Sequence, residues 1–215
     1  MSADEAFDYF EFEQRFRGSP TEIRDRQSMY ADLFLGRQHV VDLGCGRGEL
    51  VELLRERQVG VVGVDSNAAM IRFCRSRCLP VVQADLFEYL AAQPNASLDG
   101  LSALQVIEHF APDRILDLLA AAAVSLSSGA TVVVETVNPA CATALGNFFV
   151  DPTHVRPVPV QLLCYLFERA GLQVDSLRFS APIRANKMRP VLNVDPTLVA
   201  DIGGYQDYAV IGQRA

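Results

Sequence analysis

The chain has 215 residues, of which 50% are hydrophobic and 21% charged, a composition typical of a folded globular protein with a sizeable core. Its formal net charge of −7 argues against a nucleic-acid partner, because proteins that bind nucleic acids normally present a basic face. The first residues lack the basic start of a secretory signal, and no apolar run reaches the length of a membrane span. The five cysteines form no CxxC pair, so we expect a reducing, cytoplasmic compartment.

The first 36 residues are polar with scattered aromatic side chains, and residues 23–35 are expected to be helical. We therefore treat residues 1–36 as an N-terminal helical cap on a domain formed by residues 37–215. Within that domain, apolar runs typical of strands alternate with segments of helical period. The five strands expected first along the chain are residues 39–43, 61–65, 81–84, 100–105 and 131–135.

This alternation predicts an α/β fold, in which helices cover both faces of a mostly parallel sheet. Two later runs, residues 172–177 and 208–211, are separated by a long irregular stretch and fit an antiparallel hairpin at one edge of the sheet. Residues 138–159 are rich in proline and are expected to be irregular. Loops of that length in a compact domain are usually lids or binding loops, so we interpret this one as a lid.

A glycine-rich turn follows the first strand in the stretch VVDLGCGRGEL. Its glycines are spaced GxGxG, and Glu49 stands where a dinucleotide fingerprint has its third glycine. Glu49 would be unfavourable beside a pyrophosphate, which argues against a hydride-transferring dehydrogenase. The turn still suits close approach of a ligand, because no side chain blocks it and the helix that follows offers free N–H groups.

Acidic residues also end the next two strands. Asp65 ends VVGVD, at a position where a carboxylate can accept hydrogen bonds from both hydroxyl groups of a ribose. Asp85 and Leu86 follow the third strand in VVQADLF, at a position where an adenine would be held. Because the carboxyl ends of parallel strands meet at one edge of a sheet, these groups are expected to lie together. They favour a nucleoside ligand that has no phosphates.

The stretches VVDLGCGRGE, VVGVDSN, VVQADLF and LQVIEHF together resemble the class I S-adenosylmethionine-dependent methyltransferases. The resemblance covers about residues 38–137 and implies a Rossmann-like, seven-stranded sheet with a C-terminal antiparallel hairpin. It also implies that the glycine turn holds the methionine part of the cofactor and that Gln105 lies beneath the sulfonium. The cofactor contacts implied in the domain are Asp42, Gly44, Cys45, Gly46, Asp65, Ser66, Asp85, Leu86 and Gln105.

A second resemblance covers YFEFEQRFRGSPTEIRDRQSMYADLF and ETVNP…NFFVDPTHVRPVP, which are similar to sugar O-methyltransferases that cap or modify glycans. These include O-antigen chain terminators and the enzymes of methylated mannose polysaccharides. It implies a saccharide acceptor and brings Arg17 and Gly18 close to the cofactor. An arginine matches the planar geometry of the cofactor's carboxylate. The alternative for Arg17 is a surface ion pair with Glu13.

Transfer of a methyl group to a hydroxyl requires a base, and VIEHF offers His109 just beyond the fourth strand. Its ordinary pKa suits proton transfer near neutrality, and Glu108 either orients it or binds hydroxyl groups of the acceptor. The motif DPTH supplies a second set: His154 as a base or sugar contact, or Asp151 and His154 with Glu135 around Mg²⁺.

Two other functions remain open at this point. One is a methyltransferase for a small metabolite that is not a sugar, with nitrogen or carbon as the acceptor. The other is a cofactor-binding module that supports a partner protein. The sequence leaves the sugar, the methylated hydroxyl, metal dependence and a homodimer undecided.

Overall fold

The computed structural model describes residues 7–182 and 204–215. A seven-stranded sheet forms its centre, with the strand order β3-β2-β1-β4-β5-β7-β6. In chain order the strands are β1 (Val40–Leu43), β2 (Val61–Asp65), β3 (Val81–Gln83), β4 (Leu98–Leu104), β5 (Leu126–Val137), β6 (Leu172–Pro182) and β7 (Tyr205–Arg214).

The first five strands run parallel, and β7 inserts antiparallel between β5 and β6. The predicted mostly parallel sheet with a C-terminal antiparallel hairpin is thus confirmed. β7 is longer than predicted because it pairs with β5 from Thr131–Gln213 to Val137–Asp207. β5 gains two residues from this pairing and begins earlier than predicted, at Leu126, which pairs with Leu98 of β4. The long irregular stretch expected between the last two strands lies largely outside the described residues.

Eight α-helices surround this sheet in the described part of the chain: α1 (Tyr9–Phe16), α2 (Pro20–Ala31), α3 (Glu49–Glu56), α4 (Ala68–Ser76), α5 (Leu86–Ala91), α6 (Pro112–Ser125), α7 (Ala142–Phe148) and α8 (Val160–Arg169). Apolar residues of α5, α6 and α8 pack in one core cluster, and those of α2 and α3 in a second. Neighbouring residues of β5 alternate between them, so the clusters lie on opposite faces of the sheet. Between residues 7–182 and 204–215, every helix is too short or too polar to cross a membrane.

The N-terminal segment consists of two helices rather than the one predicted over residues 23–35. Asp8 caps α1, and Ser19 forms a capping box with Glu22 that begins α2 three residues earlier than expected. After Ala31 the chain continues as a 3-10 turn, Asp32–Phe34. These capping residues explain where α1 and α2 begin, because their side chains accept hydrogen bonds from N–H groups that the first helical turn leaves unpaired.

The segment 138–159 is not irregular throughout, because α7 occupies its first half. Residues 141–151 contain no proline, and Ala144 and Phe148 are buried at the i, i+4 spacing of one helix face. Pro139 precedes this helix, and the other three prolines, Pro152, Pro157 and Pro159, follow it in residues 149–159, which form neither helix nor strand. Whether the segment acts as a lid stays a prediction.

We predict that the glycine turn tolerates no side chain at Gly48, which has φ +78° and where a Cβ would lie 2.6 Å from Leu79 Cδ1. Gly129 has a similar φ of +74° with open space around it and is the matched control. Gly129→Ala should lower the free energy of unfolding in urea by about 1–2 kcal/mol through left-handed strain. Gly48→Ala should cost a further ~1–3 kcal/mol from overpacking, and equal losses would contradict the contact with Leu79.

Candidate active site

The loops that follow the parallel strands meet at one edge of the sheet and enclose a cavity of about 390 Å³, here called the glycine-loop cavity. Ligands of open α/β sheets bind at this edge, beyond the carboxyl ends of the strands. Seven of the predicted cofactor residues line it: Gly44, Gly46, Asp65, Ser66, Asp85, Leu86 and Gln105. The structure therefore brings together residues that are up to 61 positions apart in the sequence.

The glycine loop closes tightly against its neighbours. Gly44 has φ +66°, and a Cβ there would lie 2.4 Å from Val106 Cγ2, so only glycine fits this turn. The N–H of Gly46 donates to Asp65 Oδ2 at 2.9 Å, and the N–H of Asn67 donates to Asp65 Oδ1 at 2.8 Å. Burial nevertheless raises the pKa of Asp65, although these two backbone donors oppose the shift.

Two further predicted residues at this edge have defined local roles. Asp85 caps α5, since its Oδ1 accepts from the N–H groups of Phe87 and Glu88 at 2.8 and 3.1 Å. Gln105 has φ +58°, a conformation that is uncommon for a residue with a side chain. Its N–H donates to the Glu135 carbonyl at 2.9 Å, and its Nε2 donates to Glu135 Oε1 at 3.2 Å. These bonds hold Gln105 strained at the end of β4.

Four predicted cofactor residues do not line this cavity, and one of them, Arg17, is described below. The other three are Asp42, Cys45 and Gly18. Asp42 is buried beneath the glycine loop, where Ser102 Oγ donates to its Oδ1 at 2.7 Å. Burial raises the pKa of Asp42 to about 7. Cys45 is buried as well, with its Sγ against Gly63. Gly18 is exposed at the turn between α1 and α2. Contacts of these three residues with a ligand stay predictions.

Arg17 reaches the glycine loop but is paired there with an acid. Its Nη1 donates to both carboxylate oxygens of Glu49, at 3.0 and 3.1 Å, and lies 3.9 Å from Glu13 Oε2. A Cβ on Gly46 would lie 3.9 Å from its guanidinium. Arg47 from the same loop donates to the Phe10 carbonyl at 3.1 Å and stacks on the Phe10 ring. Arg47 and Glu49 thus bind the glycine loop to the N-terminal segment that contains α1.

A second cavity of about 340 Å³, here called the polar cavity, adjoins the first. Four residues line both cavities, namely Tyr9, Glu13, Gln105 and His109. The polar cavity is also lined by the ionisable side chains of Arg17, Arg26, Glu108, Glu135, Asp151, His154 and Asp207. A group bound in one cavity therefore meets a group bound in the other at Gln105 and His109.

Glu108 is wholly buried, and only one of its carboxylate oxygens is paired. Thr136 Oγ1 donates to Oε2 at 2.9 Å, whereas Oε1 has no hydrogen-bond partner among the described residues. Burial raises the pKa of Glu108 to about 8. The neutral acid therefore predominates at neutral pH and presents either a donor or an acceptor to the polar cavity.

The two predicted histidines lie side by side, with ring centroids 4.8 Å apart. His109 Nδ1 is 2.9 Å from Thr153 Oγ1, which lies 2.6 Å from Asp151 Oδ1. His154 Nδ1 donates to the Phe148 carbonyl at 2.7 Å, and its Nε2 lies 3.8 Å from Asp151 Oδ2. Burial and the neighbouring His154 lower the pKa of His109.

Asp151 is held as a carboxylate. Burial alone would raise the pKa of Asp151. The net pKa is nevertheless lowered, because several groups favour the charged form: hydrogen bonds from the Thr153 side chain and backbone, the charge of His154 and a hydrogen bond from Tyr9. One nitrogen or oxygen atom from each of His109, Asp151 and His154 lies within 4.8 Å of the others. The sequence prediction groups Glu135 with Asp151 and His154. In the structure the third member of this cluster is His109.

Sequence reasoning missed Tyr9, Glu13 and Thr153 as site residues. Tyr9 Oη donates to Asp151 Oδ2 at 3.0 Å across 142 positions of the chain, a distance at which local patterns carry no information. Thr153 stands inside the DPTH motif, but only its hydrogen bonds to His109 and Asp151 reveal a role. Glu49 was noted for its charge, and its pairing with Arg17 depends on how α1 docks.

Comparison with known proteins identifies the family of the chain. A model of the methyltransferase domain family matches residues 13–177. The crystal structure of an S-adenosylmethionine-dependent methyltransferase from Archaeoglobus fulgidus superimposes with a TM-score of 0.85 at 33% sequence identity. The match covers 96% of this chain and 100% of the archaeal one.

Curated relatives match only in part. A trans-aconitate 2-methyltransferase of Paracidovorax citrulli is 49% identical over 70 residues, 30% of this chain and 26% of the relative. A ubiquinone biosynthesis O-methyltransferase of Idiomarina loihiensis is 31% identical over 114 residues, 51% of this chain and 46% of the relative. The chain thus spans from about a quarter to about a half of the length of the curated relatives it matches.

We predict that the stability of the protein falls as pH rises through the neutral range. The pKa of Glu108 is about 8 in the folded state against an ordinary 4.5, so the folded state holds this proton more tightly than the unfolded one. The resulting stabilisation is full below about pH 4.5 and is lost as pH rises through about 8. Denaturant unfolding of Glu108→Gln should show a shallower fall over this range.

Glu168→Gln is the matched control, because Glu168 is exposed on α8. It should keep the wild-type dependence of unfolding free energy on pH. Asp42 and Asp207, whose pKa values are both raised to about 7 by burial, should retain part of the slope in Glu108→Gln. An unchanged slope in Glu108→Gln would show that Glu108 is already ionised when folded.

Proposed function

Because the chain belongs to the methyltransferase domain family and has the class I S-adenosylmethionine-dependent fold, we propose that it transfers a methyl group from S-adenosylmethionine to a hydroxyl of a saccharide. The observation that carries this proposal is the pair of adjoining cavities that share His109. One cavity has the strand-end acids that suit a nucleoside. The other has the carboxylates and aromatic rings that suit a polyol.

In this assignment the glycine-loop cavity holds the cofactor. Asp65 accepts the ribose hydroxyls with the lone pairs that Gly46 and Asn67 leave free. The adenine lies over Leu86 beside Asp85, as the resemblance implies. The amino-acid end lies against the glycine loop, where Arg17 exchanges part of its pairing with Glu49 for the cofactor's carboxylate.

The reaction is an in-line displacement at the methyl carbon. The acceptor oxygen would form a bond to that carbon while the carbon–sulfur bond breaks. The electron pair of the broken bond would stay on the sulfur, which becomes uncharged. The hydroxyl proton passes to His109, which lines both cavities and so lies where donor and acceptor meet. Positioning accounts for most of the acceleration because the donor is already activated, and a positioned base adds about 10²–10⁴-fold.

Charge and shape support a neutral polyhydroxylated acceptor. The rings of Tyr9, Phe12 and Phe16 lie on one side of the polar cavity, and the acids Glu108, Asp151 and Asp207 lie among its lining residues. Aromatic faces stack on the C–H faces of sugar rings while carboxyl groups bind hydroxyls. Asp151, whose pKa is lowered, would repel a tricarboxylate such as trans-aconitate, the substrate named for one relative.

A phenolic acceptor is the second candidate, favoured by the apolar lining that Phe12, Ile23 and Val150 give the polar cavity. The partial match to a ubiquinone biosynthesis O-methyltransferase points the same way. A phenol is more acidic than a sugar hydroxyl and depends less on its base. The two candidates therefore differ in how strongly they need His109.

The Mg²⁺ ion considered from the sequence fits these residues poorly. Glu135 already accepts hydrogen bonds from Tyr30, Ser180 and Gln105. The cluster that includes Asp151 offers two imidazoles, whereas Mg²⁺ prefers oxygen ligands. We therefore assign proton transfer to His109 without Mg²⁺.

We also propose a reducing, cytoplasmic setting, since all five cysteines are free thiols.

We predict that Asp65→Asn weakens binding of S-adenosylmethionine by about 10–100-fold, because the hydrogen bonds to the ribose lose their charge assistance. Titration calorimetry measures the dissociation constant, and thermal unfolding tests whether the glycine loop stays folded. Asp113→Asn, on the exposed first turn of α6, is the matched control. Unchanged affinity in Asp65→Asn would reject the ribose assignment.

We predict methyl transfer to a mannose- or glucose-based oligosaccharide in a panel that also contains catechols and trans-aconitate. Transfer from a radiolabelled donor is measured with added Mg²⁺ and with a chelator, and the rates should agree. His109→Gln should lower kcat by about 10²–10⁴-fold while cofactor affinity stays at the wild-type value. Transfer to catechols alone would favour the phenolic acceptor, and tight cofactor binding without any transfer would favour a supporting module.

A further inference from the structure

We propose that Tyr9, Asp151 and Thr153 are positioning residues that form a hydrogen-bonded relay to His109. The relay fixes the proton of His109 on Nδ1, leaves Nε2 as the base, and is complete only while α1 is docked. Its catalytic meaning rests on the proposed function. The hydrogen bonds themselves are independent of that function and are tested without an acceptor.

The distances determine where each proton lies. Thr153 Oγ1 and Asp151 Oδ1 are 2.6 Å apart, which requires a proton between them. An ionised carboxylate has none to give, so the hydroxyl of Thr153 donates to Asp151. That hydroxyl has only one proton and therefore accepts at its other contact, the 2.9 Å contact with His109 Nδ1. His109 Nδ1 must then carry a hydrogen.

A neutral imidazole with a hydrogen on Nδ1 has its free lone pair on Nε2. His109 is the histidine that lines both cavities, so this lone pair belongs to the ring at the meeting point of donor and acceptor. When His109 takes up a proton at Nε2, the carboxylate of Asp151 stabilises the cation through Thr153. The relay thus sets both the tautomer and the strength of the base.

Tyr9 makes the relay depend on the N-terminal arm, which we define as residues 7–19. Its hydroxyl donates to Asp151 Oδ2 at 3.0 Å, the oxygen that Thr153 leaves free. Asp151 is additionally held by the N–H of Thr153 at 2.8 Å. The relay therefore joins α1, the segment after α7 and the turn after β4. Displacement of α1 removes one of the donors that keep Asp151 in position.

The same side chains offer a different reading, a transition-metal site formed by His109, Asp151 and His154. The hydrogen bonds favour the relay, because each carboxylate oxygen of Asp151 already accepts from a hydroxyl group. His154 Nε2 lies 3.8 Å from Asp151 Oδ2, too far for a hydrogen bond. Metal binding is therefore one of the outcomes that the experiment distinguishes.

Nitrogen-15 NMR of the imidazole rings reads the tautomer directly, and the chain has only three histidines. In the chelator-treated wild-type protein, His109 should be found with its hydrogen on Nδ1. Thr153→Val, which keeps the shape but removes the hydroxyl, should shift His109 towards hydrogen on Nε2. Thr153→Ser should restore the wild-type signal. His154 is the internal control, because its Nδ1 donates to the Phe148 carbonyl in every variant.

Activity supplies the second readout once an acceptor is found. Thr153→Val should lower kcat by about 10–100-fold with little change in KM, and Thr153→Ser should recover most of it. The acid limb of the rate profile should move to lower pH in Thr153→Val, because the His109 cation loses its link to Asp151. Tyr9→Phe should give a change of the same kind but smaller size.

Two results in the wild-type protein would overturn the relay, and a third comes from its comparison with Thr153→Val. One is a wild-type His109 that carries its hydrogen on Nε2. The other is stoichiometric binding of Zn²⁺ that shifts the His109 and His154 signals together. If the tautomer shifts as expected in Thr153→Val but no saccharide is methylated, the relay stands and the proposed acceptor fails. If saccharides are methylated and His109 keeps one tautomer in both proteins, the relay fails and the function stands.

Discussion

The buried carboxylate of Glu135 joins the parts of the molecule that build the site. At the end of β5 it accepts hydrogen bonds from Tyr30 of α2 at 2.5 Å, Ser180 of β6 at 2.9 Å and Gln105 at 3.2 Å. A buried carboxylate without such donors would cost several kcal/mol, so these three elements are held to one geometry. Gln105 then lies at the boundary of the two cavities, and α2 carries the N-terminal arm towards the glycine loop.

The six residues from Gly44 to Glu49 leave room for a ligand and also bind α1. The backbone of this glycine loop leaves the room, while Arg47 and Glu49 bind α1 through the Phe10 carbonyl and the Arg17 guanidinium. This pairing explains why an acid stands where a phosphate-binding loop has glycine. A carboxylate there repels phosphates but attracts an arginine, the residue that we propose binds the carboxylate of the cofactor.

Much of the fold is predictable from the sequence, because the pattern of buried residues is local. β2 (Val61–Asp65) has its predicted bounds, and the strand-end groups at Gly44, Asp65 and Asp85 do line one cavity. β5 and β7 are longer than predicted because their pairing with neighbouring strands extends beyond their apolar centres. The hydrogen bond between Tyr9 and Asp151 had no local signal, since it depends on how α1 docks against the segment after α7.

The position of the N-terminal arm has a consequence for how acceptor preference diverges among related chains. Tyr9 and Glu13 line both cavities, so under the proposed assignment a substitution at either residue should alter cofactor retention and acceptor fit at the same time. Asn147 and Val150 line the polar cavity and not the glycine-loop cavity. Under the same proposed assignment, variation in α7 and the residues after it would change the acceptor at constant cofactor affinity, whereas variation in α1 would change both properties together.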